Sequence, residues 1–181
     1  MDTAIQDCSS KDRDNVAQLR TFSPLHKDYI LAVLNEISRY YGDSLSVLAI
    51  YGSYARLENR KNSDLDLLIL LQSAPRMRER LNHFTVQIEM KHEGMAQELY
   101  EKDGVTCELS PFILTVDEAL YFHPVYGDMV EHCLAIQDNQ GFLQRILLST
   151  KSLLVKNHAR KVRRNNTWEW SFGKYLGGVR L

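Results

Sequence analysis

Apolar residues fall at Ile30, Val33, Leu34, Ile37 and Tyr41, the 3.6-residue rhythm of a helix with one buried face. Ser23-Pro24 ahead of them supplies an N-cap and a proline at the first helical position, and Gly42 supplies the stop. The pattern then changes. Leu45 to Tyr51 (LSVLAIY) is a short, nearly all-apolar run, which predicts a strand covered on both faces. Gly52-Ser53 interrupts it, and the charged segment Tyr54 to Asn62 follows. Asp64 to Leu71 (DLDLLILL) predicts a second strand whose first two positions on one face are carboxylates. After Asp66 both faces turn apolar, so this strand starts at a polar site and runs into the core.

Further along, Pro75 opens a long amphipathic stretch with Leu81, Phe84, Ile88, Met95 and Leu99 in one stripe, broken slightly at Gly94. Val105 to Thr115 predicts a third strand, with Pro111 marking an edge or a bulge. A helical turn over Val116 to Tyr121, a helix over Val125 to His132 and a short strand over Leu134 to Gln137 come next. A last long helix is predicted from Gly141 to about Arg163. Helices alternate with strands, so the fold class is α/β. The expected organisation is a loose polar tail over 1–22, a catalytic-type domain over 23–138, and a helix and tail over 139–181 packed on that domain.

Composition narrows the function classes. With 181 residues, 44% hydrophobic and 25% charged, the chain can build a core. Its 22 basic and 23 acidic side chains argue against a dedicated duplex-DNA binder. Cys8, Cys107 and Cys133 show no ligand spacing and read as free thiols. The first residues carry neither a basic region nor an apolar run, and no run approaches the ~20 residues that span a bilayer, so a cytoplasmic protein without a membrane segment is expected.

The chemistry concentrates in Gly52-Ser53-Tyr54-Ala55-Arg56 and Ser63-Asp64-Leu65-Asp66-Leu67. Glycine permits a sharp turn and a close approach, and a serine hydroxyl beside free amides suits a phosphate. Two carboxylates on one strand face repel unless a cation neutralises them, and Mg²⁺ takes one or two carboxylates plus phosphate oxygens. The stretch Ile50 to Ile69 resembles the nucleotidyltransferase superfamily that includes DNA polymerase β, and within it the minimal nucleotidyltransferases. The resemblance runs over roughly 24–165 and implies a small mixed sheet flanked by helices.

It also implies roles. Gly52 and Ser53 bind the nucleotide, with Ser63 taken beside them; Arg56, whose geometry matches phosphate, reads either as a further nucleotide contact or as a surface charge paired with Glu58. Asp64 and Asp66 hold divalent metal, two Mg²⁺ with Mn²⁺ as a substitute, and Glu108 is the best candidate for a third acid, with Asp103, Asp117 and Glu118 as rivals. The chain departs from the pattern at Leu57, where the family often has glycine. Lys156, His158, Arg160, Lys161, Arg163 and Arg164 form a basic helix end, read as a favourable dipole partner or as a docking surface for phosphate, RNA or an acidic protein. Trp168 and Trp170 read as packing anchors, and Tyr54 as loop packing or a pocket wall.

Two functions follow. The first is a template-independent transfer of a nucleotide, AMP favoured, from an NTP (ATP favoured) to a hydroxyl of a partner protein or small molecule, as in antitoxins that modify a toxin. The second is an interaction protein that keeps the fold without the activity. A membrane partner is excluded, nucleic acid is not favoured, and a homo-oligomer is compatible with either.

Overall fold

The computed structural model describes residues 14–164, 167–171 and 176–181. Helix α1 spans Pro24–Tyr41. The Ser23 hydroxyl accepts from the His26 amide at 3.1 Å, and Gly42 ends the helix with φ 48°. Ile30, Val33, Leu34 and Ile37 are buried, as the periodicity predicts.

Strands β1 (Leu45–Ile50) and β2 (Leu65–Leu71) pair antiparallel, with the short helix α2 (Gly52–Ala55) between them. The crossover from β2 to its parallel neighbour β3 (Leu109–Thr115) carries α3 (Met77–Phe84) and α4 (Glu93–Asp103). These are not one helix nicked at Gly94: a π turn over Thr85–Glu89 and a 3₁₀ turn over Met90–His92 separate them. The widened turn shifts the phase of the stripe. Phe84, Ile88 and Leu99 are buried, while Leu81, expected beside them, is 42% exposed.

Next come α5 (Val116–Ala119), α6 (Val125–Met129), β4 (Leu134–Asp138) and α7 (Phe142–Lys156). The sheet order is β3-β2-β1-β4, a mixed sheet. The side-chain alternation of β1 and β2 feeds two core layers. Leu48, Ile50, Leu65, Leu67 and Ile69 meet α1, Phe84 and Leu99; Val47, Ala49, Leu68 and Leu70 meet Tyr126, Met129, Leu143 and Ile146.

The third strand begins four residues later than its apolar pattern suggests, and it is an edge. The Leu65 amide donates to the Glu108 carbonyl at 2.7 Å, and Leu65 is in register with Leu109. In a parallel ladder this turns the backbone of Ser110, Phe112 and Leu114 toward β2 and that of Leu109, Pro111 and Ile113 outward. Pro111 therefore stands where its missing N–H costs no ladder bond, and the Ile113 carbonyl accepts from Arg80 Nη1 at 3.2 Å.

Two expectations are corrected. The last helix stops at Lys156, and the basic segment is not a helix end. Arg160–Arg164 (β5) pairs antiparallel with Thr167–Ser171 (β6). Asn157 caps the helix and His158 takes φ 49°, which turns the chain out of it. Trp170 packs with Phe122, Leu154 and Leu176, and a Cβ on Gly127 would fall 2.7 Å from its ring. The N-terminal stretch is not loose along its whole length either, because Val16 and Leu19 are buried in the α1 layer; its first thirteen residues lie outside the described ones, as do the side chain of Trp168 and Cys8. Among the described residues no helix is long and apolar enough to cross a membrane.

Arg80, 6% exposed, makes two bonds to Glu118, which also closes a capping box with Thr115. The guanidinium pulls the Glu118 carboxyl down to about 2. The sign is that of a depressed acid: its stabilisation is complete above the ordinary value of 4.5 and is lost as pH falls toward 2. Solvent reaches Glu118, so Glu118→Gln should cost about 1 kcal/mol at neutral pH, less than a fully buried pair, and should cost less still near pH 3. Urea unfolding at the two pH values checks it.

Candidate active site

The turn between β1 and β2 places the site. Gly52 has φ 67°, a left-handed conformation that favours glycine. A Cβ there would stand 2.0 Å from Asp66 Oδ2 and 2.8 Å from its carboxyl carbon. The Tyr51 amide donates to the Asp66 carbonyl at 3.1 Å. The glycine-serine corner and the acidic start of β2 are thus in van der Waals contact, and only a residue without a side chain fits between them.

The corner is pinned from below. Tyr54 is fully buried, its hydroxyl 3.0 Å from His26 Nε2 and 3.3 Å from Cys107 Sγ, so it packs the loop and lines no nucleotide pocket. Asn59, also buried, donates to the Arg20 carbonyl at 3.0 Å. The Ser63 hydroxyl accepts from the Arg60 amide at 2.8 Å, which closes the loop just before the acids. Leu57 has φ 58° and is 53% exposed. This is the backbone reason a glycine would suit the position, since a leucine there carries about 1 kcal/mol of strain.

Asp64 is exposed at the mouth, and Asp66 is half-buried one step inside. Desolvation raises Asp66 to about 6; a hydrogen bond from Ser110 opposes this, the charge of Asp64 adds to it, and Arg56 again opposes it. An acid held above its ordinary range beside a second acid is a place short of positive charge. Next to the pair lies a polar cleft of about 590 Å³, lined by Ser53, Arg56, Arg60 and Ser63 and, from β5, by Arg163. Neither aspartate lines it, but Ser53 and Ser63 adjoin Gly52 and Asp64. Arg56 also pairs with the exposed Glu58 at 3.0 Å.

The model of the nucleotidyltransferase domain family matches residues 30–133. The chain belongs to that family. No curated protein matches it. Similar solved structures include a toxin–antitoxin with AMP-PNP, at 14% identity and TM-score 0.42, covering 70% of this chain and 90% of that one. The toxin–antitoxin MntA–HepT follows at 12% and 0.38, covering 71% and 92%. A tri-AMPylated Shewanella oneidensis HEPN toxin in complex with MNT antitoxin stands at 13% and 0.36, covering 72% and 92%. A likeness of this size carries nothing about chemistry.

Within the nucleotidyltransferase domain, Gly52 and Asp66 touch, the charge of Asp64 reaches Asp66, and Ser53, Arg56 and Ser63 line the adjoining cleft. Glu108 stands one residue ahead of β3, across the ladder from Asp64, and is exposed. Among the described residues no three His, Cys, Asp or Glu side chains gather closely enough to hold a metal ion. Two rivals of Glu108 are otherwise engaged, Asp103 by the Ser23 hydroxyl and Glu118 by Arg80. The sequence names Arg163 only within a basic helix end that could dock phosphates; its meeting with the first loop was missed, because a helix over this segment leaves nothing to bring it back there.

Two predictions follow from the corner. Gly52→Ala should cost roughly 2–3 kcal/mol, through the left-handed backbone and the displaced carboxylate, measured by urea unfolding. Asp66 binds its proton more tightly folded than unfolded, so its contribution is fully favourable below the ordinary 3.8 and is lost as pH rises through about 6. Asp66→Asn should therefore raise the melting temperature in EDTA by a few degrees at pH 8 and by less at pH 4.5.

Proposed function

We propose that this protein moves a nucleotidyl group, AMP favoured, from an NTP to a hydroxyl of an acceptor, with a partner protein as the favoured acceptor. The observation that carries the reading is the contact of Asp66 with Gly52, which sets an acid pair against a serine corner and an arginine-lined cleft. Ser53, Arg56, Arg60 and Arg163 suit the triphosphate, since guanidinium groups match phosphate oxygens in charge and geometry. The cleft volume is within the range of nucleotide-sized ligand sites.

The donor set fits Mg²⁺, with Mn²⁺ as a substitute: hard carboxylate oxygens, one of them raised by burial and by its neighbour's charge. Asp64 and Asp66 would hold it, and Glu108, across the ladder from Asp64, would be the third acid of a two-ion site. The chemistry supplied by Mg²⁺ in such a site is neutralisation of charge on the attacking and leaving oxygens. The chain itself holds the phosphates through the arginines and fixes Asp66 on a strand anchored in the core, with Asp64 one residue ahead of it. Ligand transfer from solvent to the site should weaken below pH 6, where a proton competes for Asp66.

A second reading rests on the absence, among the described residues, of a third acid gathered with the pair. In it the chain keeps the domain to bind a partner and transfers nothing. One assay separates the two: labelled ATP, CTP, GTP and UTP with Mg²⁺ and a cell lysate. Transfer by the wild type that falls at least ~100-fold in Asp66→Asn supports the enzyme. No transfer by the wild type, with partner binding unchanged by the substitution, supports the second reading. Arg163→Ala should weaken NTP binding about tenfold while leaving nucleoside binding unchanged.

A further inference from the structure

A second cavity, of about 550 Å³, opens on the α1 and α4 face of the sheet, away from the arginine-lined cleft. Its walls are Tyr29, Ala96, Val105 and Leu109, with Met90 and Tyr100 at the mouth, each 58% exposed. Its charged lining is of one sign: Glu89, Glu93 and Glu108, with no lysine, arginine or histidine among the described residues that line it. Nearby lysines are engaged outside it, Lys91 with Glu36 and Lys102 with Glu98. Glu89 accepts from Thr85 Oγ1 at 3.0 Å, across the π turn that separates α3 from α4. The backbone irregularity thus frames this cavity, a place where π turns commonly serve a site.

We infer that this cavity binds a small organic cation, an ammonium group on an apolar body. The apolar walls suit the body, the tyrosine faces suit a cation, and the carboxylates supply opposite charge at the rim. An anionic ligand would meet the like charges of Glu89 and Glu93, and a purely apolar one would strip water from them without return. The inference does not depend on nucleotide transfer, because binding here is read without NTP or metal.

The test uses the full chain and three probes of one shape: 3-phenylpropylamine, 3-phenylpropanol and 3-phenylpropionate, titrated by ligand-observed NMR at neutral pH. The amine should bind at least fivefold more tightly than the alcohol, the carboxylate should not bind, and salt should weaken the amine. Glu93→Gln, an exposed substitution that leaves the core alone, should weaken the amine about fivefold and leave the alcohol unchanged. Ala96→Trp should fill the cavity and remove binding of both. Circular dichroism and the urea unfolding midpoint report that each variant is folded. Equal binding of amine and alcohol, no binding of the amine, or binding that survives Ala96→Trp in a folded protein would overturn the inference.

Discussion

Everything near the proposed chemistry depends on how closely two pieces of backbone approach: Gly52 at the end of β1 and Asp66 just inside β2. The approach is set by antiparallel pairing, which returns the chain beside its own exit. The core holds it there. Leu65 and Leu67 bury on one face and Leu68 and Leu70 on the other, so β2 cannot slip by one residue without exchanging its layers. The acidic position is therefore fixed by hydrophobic register, to which the Ser110 hydrogen bond to the carboxylate is added. The same burial that fixes Asp66 makes its charge costly, and a costly charge is what a cation relieves.

The parts legible in the sequence are those written in local periodicity. Helix α1 carries its cap, stripe and stop in consecutive residues, and β1 and β2 are apolar runs bounded by glycine and aspartate. Asp-x-Asp on one face follows from the two-residue period alone. What sequence could not supply lies in pairings between distant segments. Arg160–Arg164 reads RKVRR, which has no apolar stripe and suits either state; β6, three residues further on, decides for a strand. That decision returns Arg163 to the cleft of Ser53 and Arg56. Likewise Val16 and Leu19 are only two apolar residues in a polar stretch, and the core surface that receives them is built by later elements.

The irregular crossover follows the same division. Its stripe was visible, but one period cannot serve both halves, since α3 packs near β3 and α4 near α1. The π turn takes up the difference, and its Thr85 and Glu89 line the cavity. Glu108 sits where these two features meet, at the rim of that cavity and across the ladder from Asp64.

The outer border of β3 has a consequence for how the molecule meets others. Of its outward-facing positions, Pro111 offers no donor and Ile113 has its carbonyl engaged by Arg80. An incoming extended segment would find only Leu109 with both groups to offer, too few to zip up alongside. This flank is closed to growth by strand addition, so any partner recruited here must be held by side chains instead.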